Sequence, residues 1–133
     1  MSRSGYSDDC ENLELWRGAV RSATRGARGQ KLLGDLLAAL DAMPVKRLIA
    51  HEFAEAGEFC ALGVVGELRG LPVEDMNGFE ARHVAPKFNI APALAQEIVF
   101  ENDEGGRWDE TPEARWGRVR NWVASQLREQ PHD

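Results

Sequence analysis

Apolar residues recur at helical spacing along most of the 133-residue chain. Leu13, Trp16, Val20 and Ala23 share one face of a helix predicted over residues 8–24, with Asp8 as N-cap and Glu11 completing a capping box. Arg17, Arg21 and Arg25 recur every four residues on another face, and Arg28 follows. The two glycines of "RGARGQ" break this helix. A second is predicted over residues 30–42, where Leu32, Leu33, Leu36, Leu37 and Leu40 make a wide apolar face and Pro44 stops the helix.

The pattern then changes. "RLIAHEF", "EAGE" and "FCALG" read as a short β-hairpin around Gly57, within residues 47–62. "CALGVVGELRG" returns to helical spacing through Leu62, Val65 and Leu68. Residues 79–103 hold two helices joined by "FNIAP". Pro86 should kink or shorten the first, Asn89 can take the left-handed turn, and Pro92 suits the first position of the second. Ala85, Phe88, Ile90, Ala95 and Ile98 fit a helix-turn-helix corner. Thr111 can cap a last helix, with Pro112 at its first position and Glu113 in its first turn. Trp116, Val119, Val123 and Leu127 form its buried stripe with Trp122 beside it, leaving Arg115, Arg118 and Arg120 for solvent. The predicted fold is mainly α (α+β): five or six helices, a helix-turn-helix-like corner and a short hairpin. One domain spans 1–133, with flexible ends at 1–7 and 129–133. Trp16, Leu36, Leu40, Ile98, Trp116 and Val123 are expected to share one core.

Composition narrows the class. Hydrophobic residues at 43% and charged residues at 29% are ordinary globular values. No apolar run reaches the roughly 18–20 residues of a membrane span. The first residues lack the apolar segment of a secretory signal, so a cytoplasmic protein with reduced Cys10 and Cys60 is expected. The net charge of −6 is uneven. Residues 51–110 carry thirteen acids against four bases, whereas residues 1–50 and 111–133 are slightly basic. That balance disfavours DNA and favours a basic protein or complex as partner.

Familiar chemistry is mostly missing. The second helix of the corner offers Gln96 and Glu97 but no Arg or Lys, so it is poorly suited to reading bases. "ENDEGG" places its acids side by side, unlike the alternating ligands of a calcium loop. His51, His83 and His132 lack zinc spacing, and "HEFAE" is not HExxH. No GxSxG, phosphate loop or GxGxxG occurs. The expectation is a non-enzyme with no metal or cofactor.

Residues 100–113, "FENDEGGRWDETPE", stand out because six of fourteen are Asp or Glu around two glycines. Glu101, Asp103 and Glu104 should end a helix, Gly105 and Gly106 turn the chain, and Asp109 and Glu110 lead to the cap at Thr111. These five acids are the candidate partner-binding residues, as carboxylates on a loop facing a basic surface. The alternative is a solubilising connector. Arg17, Arg21 and Arg25 form the second candidate surface, serving a partner, a nucleic-acid phosphate or solubility.

Five stretches add a resemblance: "SGYSDDCEN" with "WRGAV", "RGQKLLGDLLAALDAMPVKRLIAHEF", "GEFCALGVVGELRG", "FNIAPALAQEIVFENDE" and "TPEARWGRVRNWV". In order and wording, across nearly the whole chain, they resemble a group of small proteins encoded by bacterial phages and prophages. The resemblance implies a protein acting in the host cytoplasm and brings no catalytic residue with it. Small acidic proteins of that context include inhibitors of host defence, anti-CRISPR proteins among them. The expected function is therefore non-enzymatic inhibition of a host protein or ribonucleoprotein complex. A phage regulator touching nucleic acid through the arginine strip, or a phage assembly factor, is the alternative.

Overall fold

The computed structural model describes residues 2–6 and 13–128. The expected cap at Asp8 and Glu11, Cys10, and the side chain of Leu13 lie outside the described residues. The order is α1 (Leu13–Arg25), α2 (Ala27–Ala42), β1 (Ala54–Glu55), β2 (Glu58–Phe59), α3 (Ala61–Leu68), α4 (Ala81–Val84), α5 (Pro92–Glu104) and α6 (Pro112–Gln126). Short 3₁₀ turns cover Val73–Met76 and Ala85–Phe88. The protein is thus mainly α with a small antiparallel hairpin. No helix among the described residues is long and apolar enough to cross a membrane.

Local chemistry explains several boundaries. The hairpin pairs Ala54 with Phe59 and Glu55 with Glu58. Its two-residue turn holds Ala56 and Gly57 at φ 52° and 80°, the left-handed geometry that matches strand twist. Gly57 adopts this freely, whereas Ala56 does so against its Cβ. Pro86 shortens the helix before the corner to one α turn followed by 3₁₀, as its missing N–H requires. Asn89 sits at φ 57°, and Pro92 opens α5. The Thr111 hydroxyl accepts the Ala114 N–H at 3.1 Å and caps α6.

The core joins α2, α3, α5 and α6. Leu36, Leu40, Phe53, Leu62, Val65, Leu94, Ile98, Val119 and Val123 are buried in one cluster, with Trp116 and Trp122 packed at its edge. Trp16 does not join them. It is half-buried and packs edge-on to Tyr6, whose ring also lies 5.0 Å from that of Phe100. Gly63 permits a close approach, because a Cβ there would overlap the carbonyl of Phe53. In the corner, Ala93 through Val99 are all buried, so α5 is a core helix with no reading face at those positions.

Two expectations need correction. Residues 2–6 are not a loose end. Ser4 is buried, the Ala81 N–H donates to the Arg3 carbonyl at 2.8 Å, and Arg3 stacks 4.7 Å from the Phe53 ring. Residues 7 and 129–133 lie outside the described residues. Nor do Arg115, Arg118 and Arg120 form a solvated row. The Arg115 and Arg118 side chains are 12% and 24% exposed and bind groups inside the protein, while Arg120 pairs with Asp41.

Candidate functional site: the loop between α5 and α6

The five acids proposed for partner contact separate into different roles. Asp103 is buried, with its side chain only 2% exposed. It receives two hydrogen bonds from Arg3, at 2.6 and 2.7 Å, and others from the His51 N–H and the Asn102 amide. Burial pushes its carboxyl up, but the bonds and charge of Arg3, with those from His51 and Asn102, outweigh burial and hold it below the usual range. It therefore ties the start of the chain to the end of α5 and is not displayed to a partner.

Glu110 is also turned inward. Arg118 grips it through two bonds of 2.7 and 2.9 Å. These bonds depress its carboxyl despite some burial, with further help from the charges of Arg118 and Arg115. Arg118 also donates to the Glu101 carbonyl at 2.6 Å and the Asn102 carbonyl at 3.3 Å. One guanidinium thus closes the C-terminal turn of α5 and the approach to α6 together. Glu101 is half-buried beside it, and burial together with the charge of Glu97 raises its carboxyl.

The two glycines serve this brace. Neither has the positive φ of a tight turn. A Cβ at Gly105 would stand 2.6 Å from an Arg118 nitrogen and 2.8 Å from the Glu101 carbonyl oxygen, and one at Gly106 would overlap the Glu110 carboxylate. They turn the chain where expected, but what they supply is room for Arg118 beneath the loop.

The outer surface of the loop consists of Glu104, Arg107, Trp108 and Asp109, all exposed. Arg107 pairs with Asp109 at 3.3 Å, which cancels part of the local acidity. Trp108 is 95% exposed. An indole left in water on a braced loop forgoes burial that an aromatic side chain of this size normally achieves. Its flanks signal this position in the sequence: "GGRWDE" belongs to no apolar stripe, yet its central residue is the largest side chain in the repertoire.

The second candidate surface is divided as well. Arg17 donates to Glu97 at 3.0 Å, and Glu97, which is buried, also accepts from the Tyr6 hydroxyl at 2.9 Å. Arg17 therefore compensates an internal charge and is not purely a surface residue. Arg21 and Arg25 are exposed, and Arg28 points elsewhere, donating to the Asn89 side chain at 3.3 Å.

Among the described residues no group of His, Cys, Asp or Glu has the arrangement of a metal site. Cys60 is a buried free thiol whose sulfur accepts the Gly63 N–H and caps α3. Comparison with protein-family models, curated proteins and solved structures gives no match.

Proposed function

We propose that this chain is a non-enzymatic binding protein that inhibits a host protein or ribonucleoprotein complex, and that the loop between α5 and α6 is its contact. Trp108 carries the proposal. Tryptophan is enriched among residues that dominate binding energy, and it loses little conformational freedom when it docks. Its loop is held beforehand by Arg118 and Glu110, which lowers the ordering cost of association. The complementary partner surface is an apolar pocket with basic groups on its rim to meet Glu104 and Asp109. Asp103 and Glu110 support the loop from within. The anti-CRISPR-like setting rests on the resemblance to phage-encoded proteins alone.

The test is capture from a bacterial lysate with the wild-type chain, Trp108→Phe and Trp108→Ala side by side. The proposal expects a protein or ribonucleoprotein species recovered by the wild type, retained by the Phe variant and lost with Ala. Equal recovery by the Ala variant, with its melting temperature unchanged, would remove the loop from the interface.

A further inference from the structure

The C-terminal ends of α1 and α6 meet in a groove of about 350 Å³, lined by Arg17, Arg21, Arg25, Arg128, Gln126 and neighbouring residues. We propose that this groove binds a compact phosphate-bearing ligand through Arg21, Arg25 and Arg128.

The groove exists only in the fold. Residues 1–50 and 111–133 are each slightly basic in sequence, and the fold sets Arg128, just past the end of α6, beside the arginines of α1. No acidic side chain lines it, and among the described residues Arg21, Arg25 and Arg128 have no carboxylate within ion-pairing distance. Three guanidinium groups around one hollow repel one another, and an anion placed among them relieves that repulsion. Arginine's planar fork suits phosphate oxygens in particular.

The site is also braced. Gln30 donates to the Thr24 carbonyl at 2.8 Å and the Gln126 carbonyl at 3.1 Å, while its oxygen accepts the Arg128 N–H at 2.8 Å. One side chain therefore ties both helix ends to α2. Arg128 further donates to the Arg25 carbonyl at 3.4 Å. These bonds cover helix C-terminal carbonyls whose partial negative charge would otherwise oppose an anion.

The geometry favours a compact ligand over a nucleic-acid strand. A strand needs a continuous basic track. Here the track stops on both sides: Arg17 is held by Glu97, and Arg28 lines a separate hollow containing Asp35. The volume lies at the small end of small-molecule sites. The groove and Trp108 are also independent, since they lie beyond opposite ends of α6, whose 15 residues span about 22 Å.

The test is a titration of the ¹⁵N-labelled full chain with inorganic pyrophosphate at constant ionic strength, with chloride as reference. A single-stranded oligonucleotide of twelve residues is titrated separately. The proposal expects saturable shifts concentrated at residues 20–28 and 124–128. Arg21→Gln combined with Arg128→Gln should weaken binding at least tenfold. Arg82→Gln combined with Lys87→Gln removes the same charge from exposed positions elsewhere and should change it less than twofold. No saturation beyond the chloride reference would overturn the proposal, as would equal weakening by both double variants. Binding of the oligonucleotide without pyrophosphate would overturn the compact-ligand assignment. The wild-type titration alone decides the matter if the Arg21/Arg128 variant does not fold.

Discussion

At the scale of single residues, a few ion pairs hold distant parts of this protein together. Asp103 is the clearest case, because its partner Arg3 lies 100 positions away. Removing one member of a buried pair strands the other and typically costs about 3–5 kcal/mol. Arg3 is packed on the Phe53 ring and only 10% exposed, so Asp103→Ala should cost about 3–5 kcal/mol. Chemical denaturation at neutral pH measures it. The pH dependence has a defined sign. A carboxyl held below its unfolded value of about 3.9 stabilises fully above that value, and its contribution fades as pH falls through the folded value. The gap between wild type and Asp103→Asn should therefore be constant near neutrality and shrink below about pH 4. A gap that persists into strong acid would mean that Asp103 does not act as a carboxylate.

At the scale of elements, signals contained within a few residues were legible in the sequence. Thr111 with Pro112 marks the start of α6, Pro86 shortens α4, and Asn89 takes the left-handed turn. The hairpin around Gly57 was legible as well, although its strands are only two residues each. Ala56 at φ 52° is a local cost left in place. Ala56→Asn should stabilise by about 0.5–1 kcal/mol, since Asn tolerates this conformation and suits such turns. An unchanged or lower unfolding midpoint would contradict the turn geometry. The acidic loop was legible in outline but misjudged in detail. Counting acids cannot reveal which carboxylates find a buried arginine, because Arg3 and Arg118 reach theirs through the tertiary fold. The same limit hid Gln30, whose three bonds join the ends of α1 and α6.

At the scale of the molecule, α2, α3, α5 and α6 enclose one core, and the surfaces proposed for binding sit at its edges. Leu36 is wholly buried in that core, and Leu36→Ala should cost roughly 2–5 kcal/mol through lost contact and a residual cavity. A melting temperature equal to that of the wild type would mean that α2 is misplaced. The exposed side chains of Trp108, Arg21 and Arg128 carry no comparable folding load, so replacing them should alter binding while stability holds within about 0.5 kcal/mol. The central claim is that Trp108 anchors a partner from a pre-formed loop. Its most direct test is the dissociation constant of wild type and Trp108→Ala for the recovered partner, measured at low and high salt. The account predicts a loss of about 2 kcal/mol or more, roughly thirtyfold in Kd, at both salt concentrations, with an unchanged melting temperature. A Trp108→Ala chain that binds as tightly as the wild type at both would contradict it.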